Sequence, residues 1–424
     1  LKGAKGLAVR GTMGRNCAAA ALLVMALAAM PARAQQTQSA DEPAGDHTDA
    51  DVDLTDPKSK HAAILGNVAQ PLRAEPPDNE VETITDQAEL ASRATNRVIV
   101  PVPLATPQLG FGLGLGAVWF YSPSASSRPW TTGVAGLATS NGSVGVGGRH
   151  SMSLGSDRYR VDINAAYGNF NTQYFGVGGE AGQGNDPVAI TQTPILLNGQ
   201  ATMRIIPNLF VGGRFRFVDM ATVVRDDAVI PPDVDINDIE EERRIVAIGP
   251  VFNLDLTDGS LNPRSGTTVN GQWLFALPGL GSDTAYDKAN FTVNHFVDVN
   301  DKTVVAFRGS LCAASTDAPF FDLCLFGSSS NLRGYSSGQY RDRASWAVQT
   351  EWRRHLGGRF GVVAFAGIGG VAPGLGSIGH STLLPAGGGG VRYEVSSEYR
   401  INVRLDVAVG IDSSAIHLSL GEAF

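Results

Sequence analysis

Beyond its N-terminus, this 424-residue sequence has no apolar run near the ~20 residues a helix needs to cross a bilayer. If it spans a membrane, it must do so as a closed barrel, because an open sheet leaves backbone groups unpaired in lipid. Charge is sparse, with 17% charged residues and a net of −8. Outside one acidic stretch no charge bias remains, so the basic face of a nucleic-acid binder is missing. The seven histidines are scattered. His295, His355 and His417 fall on separate segments, without metal-ligand spacing. No hydrolase elbow or protease triad is present, so neither an enzyme nor a cofactor is called for. "GFGLGLG" (Gly110–Gly116) mimics a dinucleotide fingerprint, but no helix follows it and no acid stands at the required distance. Small residues between crowded strands are the simpler cause.

What the chain does have is glycine, 51 residues of it, and 43% hydrophobic residues. Lys2, Lys5, Arg10 and Arg15 precede "CAAAALLVMALAAM", and "ARA" ends at Ala34. A charged region, a short apolar core and a small-residue cleavage site make an export signal over residues 1–34, for which Met13 is a better start than Leu1. An N-terminal anchor is the alternative, though the apolar core is short for spanning. Residues 35–97 read as an acidic, disordered linker. Over 35–96, thirteen acids stand against Lys58, Lys60, Arg73 and Arg93, a net of −9 that accounts for the acidity of the whole chain.

From about residue 98 to 424 the pattern changes to period-two alternation, the mark of strands with two unlike faces. In "RINVRLDVAVG" (Arg400–Gly410), Ile401, Val403, Leu405, Val407 and Val409 alternate with Arg400, Asn402, Arg404, Asp406 and Ala408. "YRVDINAAY", "LFVGGRFRF" and "TVVAFRGSL" repeat the arrangement, and apolar faces often end in Trp, Tyr or Phe, as aromatic girdles do. The spacing predicts sixteen strands: 98–104, 110–121, 130–140, 143–154, 158–169, 194–206, 208–220, 243–255, 266–277, 287–299, 302–314, 344–356, 358–369, 383–395, 398–411 and 413–424. Short connections tend to alternate with long ones (170–193, 221–242, 315–343, 370–382), which gives one rim of turns and one of loops. The expectation is an all-β chain: a transmembrane antiparallel β-barrel of about sixteen strands, lipid outside and a wet lumen inside. A soluble β-sandwich is the alternative. "DVDINDIEEE" (Asp233–Glu242) resembles part of a calcium loop but lacks its central glycine and terminal acid. It reads as a solvated acidic loop, with a divalent-ion bridge to lipopolysaccharide as the other reading.

"SSSNLRGYSSGQYRDR" (Ser328–Arg343), in the longest connection, is too charged and glycine-rich for a strand. Its "LRGY" (Leu332, Arg333, Gly334, Tyr335), followed by "RD" (Arg341, Asp342) and a strand, resembles the loop signature of the BamA/TamA superfamily of bacterial surface antigen barrels. "LNPRSG" (Leu261–Gly266) is similar to that family's turn before a barrel strand. The ending "HLSLGEAF" (with Leu420, Gly421 and Phe424) is similar to the C-terminal signal by which such barrels are assembled. The resemblance covers residues 98–424. It implies a long loop folded into the lumen, with Arg333 held by a carboxylate on the wall. The usual acid lies in an "F-x-D-x-G" strand, where this chain has "FAGIG" with Gly367. Glu351 and Asp406, lumen-facing by alternation, are the candidate partners. A mobile surface loop with solvated arginines is the alternative. Cys312 and Cys324 flank the start of the loop, and an exported chain favours a disulfide between them over two separate thiols.

The resemblance further implies a place in the outer membrane of a Gram-negative bacterium. The partners expected there are outer-membrane lipid and lipopolysaccharide, and the barrel assembly machinery for the chain's own insertion. Residues 35–97 are too few and too acidic for the POTRA domain that family insertases carry. Two functions stay open: assembly or translocation of protein or lipid at the outer membrane, through a weak seam between the first and last strands, or a passive pore or structural surface antigen with the loop as plug.

Overall fold

The computed structural model describes residues 97–106, 110–121, 130–183, 187–231, 236, 239–258, 262–327, 331–336, 338–396, 401–420 and 422–424. The export signal and nearly all of the acidic linker lie outside the described residues, as does part of the acidic stretch 233–242. The described chain is a meander of antiparallel strands: β1 (Arg97–Thr106), β2 (Gly110–Tyr121), β3 (Trp130–Thr139), β4 (Val144–Leu154), β5 (Tyr159–Tyr174), β6 (Val188–Ile206), β7 (Leu209–Val224) and β8 (Glu241–Asp255). It continues through β9 (Gly266–Ala276), β10 (Tyr286–Asn300) and β11 (Thr303–Ala314). A long connection follows, carrying the short strands β12 (Cys324–Phe326) and β13 (Tyr340–Asp342), which pair only with each other. The wall resumes with β14 (Ala344–Gly357), β15 (Phe360–Ala372), β16 (Thr382–Ser396), β17 (Ile401–Val409) and β18 (Ser414–Leu420). Sixteen strands form one sheet in chain order, with β11 pairing directly to β14.

Each of the sixteen strands falls where alternation puts it. The differences are informative. β5 and β6 run further than expected, pairing up to Tyr174↔Val188. Polar residues such as Asn169, Asn171 and Thr172 disguise this extension, but Phe170 and Ile190 continue the buried inner face. At the other end, the last strand stops at Leu420 rather than Phe424. Continued alternation would send Glu422 outward with Ile416, and a carboxylate facing hydrocarbon is costly. Residues 422–424 leave the ladder, and Glu422 is buried among arginines instead.

The two faces differ as β17 illustrates. Leu405, Val407 and Val409 are 40, 49 and 55% exposed, whereas Arg404 and Asp406 are 3 and 0% exposed. An inverted core of this kind, with charge inside and aliphatic surface outside, is stable only when hydrocarbon covers the outside. All five tryptophans point outward near strand ends. Trp119, Trp130 and Trp352 lie toward the rim of short turns, and Trp273 and Trp346 toward the rim of long loops. Indole N–H groups are satisfied locally: Trp130 donates to the Ser153 carbonyl (3.0 Å), Trp273 to Asp287 (2.8 Å) and Trp346 to Ser381 (3.0 Å). This amphipathic placement suits a membrane interface.

On the short-turn rim, β6 and β7 join through Pro207–Asn208, where Asn208 takes a left-handed φ of 70°. The opposite rim carries the connection with α1 (Gly179–Gln183) and the long segment between β11 and β14.

Candidate functional site

The segment between β11 and β14 folds inward and touches both halves of the wall, so the sheet curls around it. Its first limb docks by apolar packing: Phe320, Phe321 and Leu323 join Val188, Ile190, Val218, Met220 and Ile245 of β6 to β8. One carboxylate sits in that contact. Asp322 accepts from Arg216 Nη1 at 2.9 and 2.8 Å, from Lys288 Nζ at 3.2 Å and from the Tyr286 hydroxyl. Burial pushes the Asp322 carboxyl up, but Arg216 and Lys288 outweigh it and hold it below the usual carboxylate range. No motif or alternation marks Asp322 in the sequence. The available signal was the pair of inward cations, Arg216 and Lys288, which need an acid between β7 and β10.

A disulfide between Cys312 on β11 and Cys324 on β12, with Cα atoms 5.7 Å apart, ties this limb to the wall. The second limb docks on β14 to β16. Phe326, Leu332, Tyr335 and Tyr340 pack with Ala347, Val371 and Leu384, and the Tyr335 and Tyr340 rings meet edge to face at 5.5 Å.

Arg333 lies fully buried at the tip of this limb. Its Nη1 donates to Asp406 at 2.7 Å, its Nη2 to Glu351, and Nε and Nη2 to the Gln349 amide oxygen at 3.3 and 3.2 Å. The guanidinium carbon stands 3.5 Å from the centroid of the Phe365 ring. Both carboxylates are shared. Arg353 donates to Glu351 at 2.7 Å, and Arg392 donates to Asp406 and, at 2.7 Å, to Glu422. Arg333, Arg353 and Arg392 thus share three carboxylates through hydrogen bonds, with buried Arg404 close to Asp406, and this is the kind of pairing that burial of so many charges demands.

Two glycines make the docking possible. Gly334 has φ 118°, and a Cβ there would stand 2.9 Å from the Ala386 Cβ and 3.0 Å from the Val409 carbonyl oxygen. Gly367 stands where the family resemblance suggests an aspartate. A Cβ there would meet Leu332 Cδ1 at 2.5 Å and Val348 O at 2.6 Å, so the wall has no room for an acid beneath the loop.

Further out, the loop grips the turn between β17 and β18. The Tyr335 hydroxyl accepts from Ile411 N at 3.3 Å and donates to the Pro385 carbonyl, and Ser413 donates to the Gly334 carbonyl at 2.6 Å. Gln339 and Tyr340 both donate to Asp412, and Gln339 also to the Gly182 carbonyl of α1. Arg341 is separate from the Arg333 cluster. It donates to the Gly338 carbonyl at 2.8 Å and faces the Tyr174 and Phe320 rings. Burial pushes it down to about 10, so it stays charged at neutral pH. Asp342 accepts from the Arg343 backbone N–H at 2.8 Å. Phe424 lies inside the lumen, its ring 5.5 and 5.4 Å from the Arg308 and Arg353 guanidinium carbons. The side chains of Leu420 and Gly421 lie outside the described residues. Among the described residues no group of three or more His, Cys, Asp and Glu is placed to hold a metal.

The model of the Omp85 superfamily domain matches residues 119–373. A search of curated proteins found no match. Among solved structures, the chain is similar to BamA from Haemophilus ducreyi lacking POTRA domains 1-3, at 14% identity and TM-score 0.53, over 77% of this chain and 69% of that one. It is also similar to CdiB from Escherichia coli, at 11% identity and TM-score 0.53, over 77% and 61% of the two chains. For CdiB from Acinetobacter baumannii the values are 12%, 0.50, 77% and 59%. The chain therefore spans about six tenths of either CdiB, and identities this low speak for the fold alone.

Proposed function

The chain belongs to the Omp85 superfamily, a barrel of the Gram-negative outer membrane set in lipid, and from that premise we propose that it assembles or translocates protein or lipid at that membrane. The observation that carries the reading is the state of the terminal strands. The ladder runs from β1 to β18, and no rung joins β1 to β18 among the described residues. β18 is short, seven residues, and its last rung is Val403↔Leu420. Unpaired backbone N–H and C=O groups are expensive in hydrocarbon and are a ready template for another strand. A client strand that paired there would relieve that cost while it entered the bilayer.

The loop supports the same reading. A lumen filled by two docked limbs is a poor passive pore, which is the competing function. The docked loop also holds the terminal hairpin, through Asp406 on β17 and through Ile411, Asp412 and Ser413 at its turn. Release of the loop would therefore loosen β17 and β18. In this reading lipopolysaccharide contacts the long-loop rim, and the barrel assembly machinery inserts the chain through its terminal strand, with Leu420, Gly421 and Phe424 as the recognised end.

The test is a cysteine pair that joins β1 to β18. In a strain lacking the native protein, the oxidised barrel should fail to restore the outer-membrane protein and lipid profile, and reduction should restore it. Full complementation by the locked barrel would leave a pore or a structural antigen as the surviving alternatives.

A further inference from the structure

Residues 422–424 are held by a built site. Arg392 Nε donates to Glu422 at 2.7 Å, Asn402 Nδ2 donates to its other oxygen at 2.7 Å, and Arg353 stands 3.9 Å away. Arg308 donates to the Ala423 carbonyl at 3.3 Å, and Arg353 Nη2 to the Phe424 carbonyl. Arg308 and Arg353 flank the Phe424 ring. The gripping groups come from four strands, β11, β14, β16 and β17, and Arg308, Arg353 and Arg392 are all buried. The segment itself belongs to no strand and connects to β18 through Gly421 alone. We propose that the lumen carries a peptide-binding cradle for a short segment bearing a carboxylate two residues before an aromatic ring, occupied in this structure by the chain's own Glu422–Phe424.

The chemistry fits a ligand better than a piece of wall. The contacts are charge-assisted hydrogen bonds and cation–ring contacts, which are directional and specific to residue type. Vacating the cradle would remove Glu422 from between Arg353 and Arg392 and leave an excess of buried positive charge, an attractive place for an anionic peptide. Arg353 Nη1 is buried with no hydrogen-bond partner among the described residues, beside the nitrogen that holds the Phe424 carbonyl. A segment tethered through one residue acts at roughly millimolar effective concentration or above. The intact chain should accordingly resist the same peptide offered in solution.

The test titrates a fluorescein-labelled peptide, Leu-Gly-Glu-Ala-Phe, into detergent-solubilised barrel. The chain lacking residues 421–424 should bind it saturably. If the peptide binds the shortened chain with a dissociation constant of about 10 μM, a tethered segment at roughly 1 mM should make binding to the intact chain about 10²-fold weaker. Binding to the shortened chain should fall tenfold or more when the peptide Glu is changed to Gln, or when the barrel carries Arg392→Ala. A terminal amide should bind more weakly than the free acid. If the shortened chain does not fold, the full-length Glu422→Gln, Phe424→Ala variant takes its place, with the tail present, its carboxylate and ring contacts gone, and only the backbone contacts to Arg308 and Arg353 left. Absence of saturable binding to a folded variant, or equal binding of a scrambled peptide, overturns the proposal. The result is independent of the seam, since a barrel with locked terminal strands would still bind the peptide.

Discussion

Replacement of Arg333 by alanine should release the folded loop while the barrel stays intact. The magnitude follows from the geometry. Removing one member of a buried ion cluster leaves uncompensated charge and typically costs about 3–5 kcal/mol. Here each orphaned carboxylate keeps another guanidinium, Arg353 for Glu351 and Arg392 for Asp406, which favours the lower end, about 3 kcal/mol. At 1.36 kcal/mol per decade, the released fraction should rise roughly 10²-fold. Arg333→Lys keeps the charge but loses the fork that reaches Asp406, Glu351 and Gln349 together, so its effect should be intermediate. The assay uses Ala347→Cys, a small change on the wall at a site 2% exposed under the loop. Its maleimide labelling rate from the long-loop side should rise by about two decades in the Arg333→Ala background. A rate unchanged within twofold, in protein that still migrates as a folded barrel, would refute the claim that the guanidinium holds the loop.

Gly367→Asp, the substitution that brings the strand nearer the family pattern, should destabilise the loop by about 1–3 kcal/mol through overpacking against Leu332 and Val348. A gain in thermal stability of the folded band would contradict this. The Asp322 carboxyl is held below its ordinary value, so its contribution is fully present above pH ~4 and is lost only as pH falls through the lower folded value. Loop protection in hydrogen exchange should be flat between pH 5 and 8 and fall in stronger acid, and Asp322→Asn should lower it between pH 5 and 8, with the difference closing in stronger acid. The Cys312–Cys324 bridge spans a separation of 12 residues, for which chain entropy gives about 3 kcal/mol. The Cys312→Ser, Cys324→Ser double variant should therefore expose Ala347→Cys about as much as Arg333→Ala does, and unchanged labelling would argue against that role.

Period-two alternation carries most of the fold because lipid and lumen impose opposite demands on neighbouring residues. In β17 every inward residue is polar or small, and no other element could use that pattern. The same logic aims Glu351 and Asp406 inward. It does not say that they meet at one guanidinium, because Arg333 and Asp406 lie 73 residues apart and only the inward fold of the segment between β11 and β14 brings them together. Asp322 was illegible for another reason: a single acid in "APFFDLC" reads as the polar end of an apolar turn until Arg216 and Lys288 are placed opposite it. Glu422 did leave a signal, since a strand extended to Phe424 would point that carboxylate at lipid. Phe424 masked it, because an aromatic residue at that position suits an outer face.

The most direct test of the account is ion conductance through the purified protein in a planar bilayer. A lumen crossed by two docked limbs and pinned by Arg333 and Asp322 should show no steady open level in the unaltered chain, and Arg333→Ala should produce frequent openings. A large, stable conductance in the unaltered protein, insensitive to Arg333→Ala, would contradict the plug and return the barrel to the class of passive pores.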